Sequence, residues 1–303
     1  MLLDTASLYF RAFFGVPDSF KAPDGTPVNA VRGLLDFISR LVGEYRPTHL
    51  ACCWDNDWRP QWRVELLPSY KAHRVVAPRP GDTPDIEEVP DPLEQQIPII
   101  VATLEAFGIA IVGADHYEAD DVIGTLATDA GMPVDIVTGD RDLFQLVDDE
   151  AEVRVLYTAR GVGKHERVTN DVVREKYDVD AHQYAAFATL RGDSSDGLPG
   201  VAGVGDKTAA VLLNRFGDLD AIIAAAKDPD GDMGPGPRGK IKAALDYLEV
   251  APTVVAVARD IDLGSPATRL PREPVDLERV AELGARWGIE SPVQRLTEVL
   301  LAL

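Results

Sequence analysis

Nine carboxylates fall where an open parallel sheet would bring them to one rim. Asp4 follows Leu2 and Leu3, Asp55 follows the apolar stretch 51–54, and Asp140 and Asp142 follow the stretch 136–138. Glu118, Asp120 and Asp121 open a helical pattern behind the apolar stretch 109–112, and Asp193 and Asp196 share the loop Gly192-Asp-Ser-Ser-Asp-Gly197. In such sheets ligands bind beyond the carboxyl ends of the strands. Taken singly, each acid has an ordinary explanation. Asp120 or Asp121 suits the positive end of a helix, and Asp193 or Asp196 suits a turn. Taken together they repel strongly unless cations neutralise them. With few His or Cys nearby, the donors are hard oxygens, which suits two or more Mg²⁺ or Mn²⁺ ions rather than structural zinc. Two such ions roughly 3.5–4 Å apart activate a water and stabilise the leaving oxygen in phosphodiester hydrolysis.

The elements that must position these acids are legible as periodicities. Strand-length apolar runs occupy 1–3, 49–54, 109–112, 134–138 and 153–156, with helical patterns at 30–44, 93–107 and 119–130. Strand and helix in alternation predict an α/β fold with a central, mainly parallel sheet flanked by helices. Between 56 and 92 the pattern fails: five prolines follow Ala77, while Arg59, Arg63, Lys71, Arg74 and Arg79 make the stretch locally basic. Loops this long in compact domains are usually functional or disordered. After Asn170 strands disappear, and short helices broken by Gly and Pro follow. The expected division is an α/β core at 1–169 and a helical region at 170–303.

A second feature lies in that region. Leu198-Pro-Gly-Val-Ala-Gly-Val-Gly-Asp-Lys-Thr places Gly200, Gly203 and Gly205 just before an apolar-periodic helix. Glycine lets a backbone approach phosphate closely, and the helix N-terminus offers unpaired N–H donors. A clamp on a nucleic-acid backbone follows, with Lys207 as a supporting charge. Read more plainly, the string is a Gly-rich connection between helices.

The bulk numbers frame both features. At 303 residues, 46% hydrophobic and 26% charged, the chain is long enough to bury a full core. Cys52 and Cys53 are adjacent and would point to opposite faces of a strand, so a disulfide is not expected. Without a basic-then-apolar leader or an apolar run near the ~18 residues a membrane helix needs, a cytoplasmic protein with no membrane partner is expected. The net charge of −20 runs against phosphate binding, which draws on Lys and Arg. Discounting the nine acids still leaves −11, a solvated acidic surface. Backbone N–H groups need few basic side chains to hold phosphate, which softens the conflict.

At Glu118-Ala-Asp-Asp121, Gly139-Asp-Arg-Asp142 and Gly192-Asp-Ser-Ser-Asp-Gly-Leu-Pro-Gly-Val201 the chain resembles the 5′ nuclease family. That family includes the nuclease domain of bacterial DNA polymerase I, phage 5′ exonucleases and eukaryotic flap endonucleases. The bacterial branch is most similar, in the same order from Met1 to about Phe216. The resemblance implies a nuclease of the PIN-like 5′ nuclease fold. It has a helical arch near 56–92 and a helix-hairpin-helix element near 190–216. One metal group is implied at Asp4, Asp55, Glu118 and Asp120, and another at Asp121, Asp140, Asp142, Asp193 and Asp196. Arg63 and Lys71 are implied at the scissile phosphate, with Tyr70 and Arg74 in the same basic element touching DNA. Phe10 and Arg11 match the family's aromatic-Arg pair, where the ring stacks an unpaired base or else packs in the core. At the hairpin, Gly200, Val201, Gly203, Gly205, Lys207 and Thr208 are implied to hold the duplex, with K⁺ or Na⁺ between carbonyls and phosphate. Thr5 departs from the glycine usual after the first aspartate. No polymerase segment follows Leu303, so a stand-alone enzyme is expected, with a DNA polymerase acting in trans.

The implied activity is 5′-3′ exonuclease and 5′-flap endonuclease cleavage of DNA or an RNA-primer hybrid, in primer removal and repair. The rival is a non-catalytic DNA-binding paralogue, which gains nothing from concentrating negative charge against phosphates. A hairpin-bearing DNA glycosylase would account for Leu198-Pro-Gly-Val201 and leave the other acids unexplained.

Overall fold

In the computed structural model, which describes residues 1–79, 83 and 85–303, strand and helix alternate through the first half. β1 (Leu2–Asp4) leads into α1 (Thr5–Gly15), α2 (Asn29–Tyr45) and β2 (Ala51–Trp54). α3 (Gln61–Leu66), β3 (Val75–Ala77), β4 (Ile86–Glu87) and α4 (Asp91–Glu94) come next. The core resumes with α5 (Ile97–Phe107), β5 (Ala110–Gly113), α6 (Ala119–Ala127), β6 (Val134–Thr138), β7 (Val153–Tyr157) and β8 (Glu166–Val168). Thereafter the described elements are helical: α7 (Asn170–Tyr177), α8 (Tyr184–Arg191), α9 (Asp206–Phe216) and α10 (Leu219–Lys227). α11 (Pro235–Ala243), α12 (Leu245–Val255), α13 (Leu277–Trp287) and α14 (Glu290–Leu301) complete the chain.

Six strands form one sheet in the order β5-β2-β1-β6-β7-β8, parallel except for the last pair. The chain moves outward from β1 through β2 to β5, then returns to lay β6 on the other side of β1. Strand order therefore reverses at β1/β6, and a crevice opens there at the carboxyl ends. The register sets Leu2 beside Ile136 and Leu3 beside Val137. Alternation sends Leu2, Ala51, Cys53, Ile136 and Val155 into one core and Leu3, Cys52, Val137 and Leu156 into the other. Both faces are covered, which is why these strands read as nearly continuous apolar runs. Cys52 and Cys53 enter different cores as free thiols.

The residues from Asn170 onward divide by packing. Side chains from α7 to α12 join the Leu2 side of the sheet, whereas α13 packs on α5 and α14 on α2, on the Leu3 side. β8 escapes the sequence pattern because three residues carry too little alternation to register. Where an arch of helices is expected, the described residues of 56–92 give the six-residue α3, an antiparallel β3/β4 ladder and the four-residue α4. Pro78, Pro90 and Pro92 remove N–H donors and disfavour helix before them, and Val75 and Val76 favour extended backbone. Positions 80–82 and 84 of the expected arch lie outside the described residues.

One close approach ties the helical region to the basic segment. Gly197 has φ 71°, and a Cβ there would lie 2.0 Å from the Ser69 carbonyl oxygen. Nearby the Lys71 amide donates to the Asp196 carbonyl at 2.9 Å. Gly197→Ala should therefore cost about 1–3 kcal/mol, from the positive φ and the clash together. Urea unfolding checks this, and an unchanged midpoint would refute the tight approach.

Candidate metal centre and nucleic-acid interface

The β1/β6 crevice collects acids from separate parts of the chain. A groove of about 1130 Å³ is lined by Asp4, Asp55, Glu118, Asp120 and Asp140, together with Lys71 and Arg74. A narrow cleft beside it is lined by Glu118, Asp120, Asp142 and Asp196. Glu118 and Asp120 border both spaces.

Each acid is held by local geometry. Asp4 ends β1 and caps α1, accepting from the Ser7 amide at 3.1 Å and from the Thr138 hydroxyl at 2.6 Å. Asp55 accepts from the Ala119 amide at 2.8 Å, at the N-terminus of α6. Asp140 accepts from the Asp142 amide at 2.9 Å, and Thr138 receives the Asp140 amide at 2.9 Å. Asp193 accepts from the Ser195 amide at 2.8 Å and from Arg191 at 3.3 Å, while Asp196 accepts from Arg74 at 3.3 Å. Asp142 keeps one buried oxygen, Oδ1, without any donor.

Crowding shows in the acidities. Burial, reinforced by the charges of Asp55 and Asp140, pushes Asp4 up to about 7 despite its two hydrogen bonds. Burial and the charges of Asp4 and Asp140 drive Asp120 well above the usual carboxylate range. Burial and the charges of Asp140, Asp196 and Asp193 do the same to Asp142. Asp193 is the exception: burial opposes it, but the Ser195 hydrogen bonds and Arg191 hold it low. The all-oxygen donor set and the orphaned Asp142 oxygen fit a hard divalent cation. Among the described residues, however, no three such side chains stand close enough to make a ready-made ligand shell.

One acid, two basic residues and a tyrosine are not where the resemblance puts them, or not free. Asp121 is 0% exposed. Its carboxylate accepts from both terminal nitrogens of Arg63 at 2.7 Å, from the Ala258 amide at 2.8 Å and from the Glu118 amide at 3.2 Å. It lines neither the groove nor the cleft. Arg63 is equally committed, donating also to Glu118 at 3.1 Å, to Val254 O at 3.0 Å and to Ala256 O at 3.3 Å. The structure thus replaces the expected ligand Asp121 and the expected phosphate contact Arg63 with one buried ion pair behind the cluster. Tyr70, expected on DNA, is buried and donates its hydroxyl to Glu118 at 2.7 Å. Lys71 does reach the groove, but its ammonium donates to Glu118. Burial would discharge it, and Glu118 keeps it charged.

Lys71 takes a left-handed backbone conformation, φ 48°, unusual for a residue with a side chain. Arg59 stabilises that turn by donating to Tyr70 O at 2.6 Å and Pro68 O at 3.1 Å, and to the Asp85 carboxylate at 2.6 Å. Arg74 lines the groove and also donates to Ser195 O at 2.8 Å. Phe10 lines the groove with its ring 5.3 Å from Tyr9, half-buried between core and space. Arg11 donates to Ala159 O at 3.3 Å and does not line the groove.

The hairpin keeps its side chains in and its backbone out. Val201 and Val204 are buried in the core, while Gly203, Gly205 and Lys207 are exposed and Thr208 is half-buried. Gly200 has φ 66°, and a Cβ there would lie 2.5 Å from Arg191 O. No side chain caps α9, so the N–H groups of its first turn face outward. Gly203 O accepts from the Lys240 ammonium at 2.7 Å, a cation from the chain itself where the resemblance implies K⁺ or Na⁺.

Family models settle the kinship. One described as the 5′-3′ exonuclease N-terminal resolvase-like domain matches residues 1–178, and one described as the 5′-3′ exonuclease C-terminal SAM fold matches 179–278. The chain belongs to the 5′-3′ exonuclease family. A 5′-3′ exonuclease of Streptomyces coelicolor is 61% identical over 302 residues, covering 100% of both chains. One of Mycobacterium tuberculosis is 53% identical, covering 99% of this chain and 97% of its own. Among solved structures, a bacteriophage T5 flap endonuclease complex with DNA and metal ions aligns with TM-score 0.65 at 18% identity. It covers 99% of this chain and 98% of that one, and so shares the fold.

Relative to this family frame, sequence reasoning passes over Thr138, Ser7, Arg59 and Lys240. Ser7 had a signal, since Asp4-x-x-Ser7 matches the spacing of a helix N-cap. Arg59 stood out only as one charge of a basic stretch, its bonds to Pro68 O and Tyr70 O a few residues on carrying no sequence signature, and Lys240 acts through a contact 37 residues away and had no signal. The contrast between neighbouring acids is measurable. Asp121→Ala, which strands Arg63, should destabilise the metal-free protein by about 3–5 kcal/mol. Asp120→Ala, which relieves repulsion, should leave its melting temperature unchanged or higher and abolish the rise produced by Mn²⁺. The reverse order in a thermal-shift series would return Asp121 to the ligands.

Proposed function

We propose that this chain is a metal-dependent 5′ nuclease, hydrolysing phosphodiester bonds of DNA or RNA-DNA strands at or near a free 5′ end. One observation carries the reading: acids from β1, β2, α6, β6 and the 192–197 loop converge on the strand-order reversal, around a groove wide enough for a polynucleotide. The names of its relatives, 5′-3′ exonucleases and a flap endonuclease bound to DNA and metal ions, agree with it.

Asp4, Asp55, Glu118, Asp120 and Asp140 would hold one Mg²⁺ or Mn²⁺ on the groove side, and Asp142, Asp193 and Asp196 a second. Such ions activate a water and stabilise the leaving oxygen. Mg²⁺ keeps several of its waters, so a loosely gathered set of acids suits it better than a closed shell. The chain's own residues do the positioning. Arg63 holds Glu118 and Asp121 still, so that α6 presents Asp120 to the groove. Thr138 and Ser7 orient Asp4. Lys71 and Arg74 place positive charge where a phosphate would enter, Lys71 resting on Glu118. The first turn of α9 and Lys207 take phosphates of the flanking duplex. Cutting 5′ flaps in primer removal and repair, with a polymerase in trans, is the cellular role this chemistry serves.

A duplex with a 5′ flap, incubated with and without Mg²⁺ or Mn²⁺, tests the chemistry. Wild type should cleave only with metal, Asp140→Asn should lose most activity, and Lys71→Ala should lose about 10²–10³ in kcat. Metal-independent binding without cleavage would establish the non-catalytic reading, and base excision without strand scission would establish a glycosylase. For the clamp, Lys207→Ala should weaken duplex binding and lower the salt slope by about 0.9, as expected for one lost phosphate contact, with metal-induced stabilisation intact. An unaltered slope across a salt series would remove Lys207 from the interface.

A further inference from the structure

The mouth of the groove holds apolar side chains that the chemistry above does not employ. Phe14 sits on α1 one turn beyond Phe10 and on the same face of the helix. Phe14 is 74% exposed, yet both phenylalanines line the groove. The β3/β4 ladder contributes Val76 and Ile86 to the same lining, 64% and 39% exposed. Arg74 and Arg79 line it as well, and the acids form its floor.

This mixture narrows the occupant. A flat apolar ring left in water beside guanidinium groups matches a ligand that alternates planar aromatic units with anions, as a single strand of nucleic acid does. In a duplex, each base has both faces covered by its neighbours and cannot offer one to a side chain. The volume, about 1130 Å³, exceeds the roughly 300–1,000 Å³ of a drug-sized pocket and leaves room for more than one nucleotide. Resting on the nuclease reading, we propose that Phe14, with Val76 and Ile86, is a stacking platform for an unpaired base of the strand being cut. The groove thereby selects unpaired 5′ strand over paired.

The test is equilibrium binding in the Asp140→Asn background with Mg²⁺, so that cleavage does not intervene. Two substrates are compared: a duplex with a 5′ flap carrying 2-aminopurine, and the same duplex nicked without the flap. Phe14→Ala should raise the flap Kd about tenfold, relieve the quenching of 2-aminopurine and leave the nicked-duplex Kd unchanged. Phe14→Trp should restore both flap signals, and Val76→Ser should weaken them partly. Because Phe14 is exposed, the melting temperature should not move. Equal weakening on both substrates, or unchanged quenching, would overturn the platform. Concentration-dependent dimerisation lost in Phe14→Ala, with flap affinity intact, would assign the patch to a second copy of the chain. Failure of wild type to cleave with Mg²⁺ would sink the nuclease reading alone, since the fluorescence is read without cleavage.

Discussion

Like charges gathered at one end of a sheet are the constraint to which the rest of this structure responds. The chain supplies cations of its own to only some of the acids: Arg63 to Asp121, Lys71 to Glu118, Arg191 to Asp193 and Arg74 to Asp196. Among the described residues Asp4, Asp55, Asp120, Asp140 and Asp142 have no such pair, and neutral donors hold them where they are held at all. Ion pairs for every acid would have produced an inert network. Ion pairs for none would have left the crevice too repulsive to fold. Burial and neighbouring carboxylates raise Asp4, Asp120 and Asp142, and the pull of Lys71 on Asp120 and of Arg191 on Asp142 is too weak to offset them.

Assembling that crowd requires both halves of the chain. The parallel sheet brings Asp4, Asp55 and Asp140 to one edge by strand order alone, since each follows a strand whose register with its neighbours is fixed by two buried faces. Asp193 and Asp196 come from the helical side and have no strand to place them. Their loop is seated by backbone contacts that only glycine permits, Gly197 against Ser69 O and Gly200 against Arg191 O. The Lys71 amide on Asp196 O then joins the loop to the basic segment.

Much of this was legible in the residues. Five of the strands and the acids behind them follow from short continuous apolar runs, as strands covered on both faces require, and from the position of polar residues just past those runs. The misplacements share a cause. The resemblance makes Glu118, Asp120 and Asp121 all metal ligands, Asp121 in the second group, but residues at the cap and third position of a helix reach back toward each other in a capping box. That geometry turns Asp121 inward to Arg63 and leaves Asp120 facing out. Spacing contained the hint, but the identity of the partner did not follow from it, because Arg63 lies 58 residues away. Tyr70 in a basic run suggested surface, and only the tertiary position of Glu118 draws it under. β8 and the β3/β4 ladder are too short for alternation to declare them.

An enzyme with net charge −20 must still meet a polyanion, and the structure divides that task by chemical type. At the hairpin proposed to hold duplex, buried Val201 and Val204 anchor a turn whose exposed part is backbone, and an uncapped helix end offers N–H donors that add no side-chain charge. Lys240 on Gly203 O braces the turn with a charge that also faces solvent. Where chemistry is to occur, the cation is withheld: Lys71, strained at φ 48° and fastened by Arg59, rests on Glu118 and neutralises it. A left-handed lysine costs of order 1 kcal/mol or more, and it persists because three backbone contacts over-determine it. The Lys71 side chain lines the groove beside Asp4, Asp55, Glu118, Asp120 and Asp140.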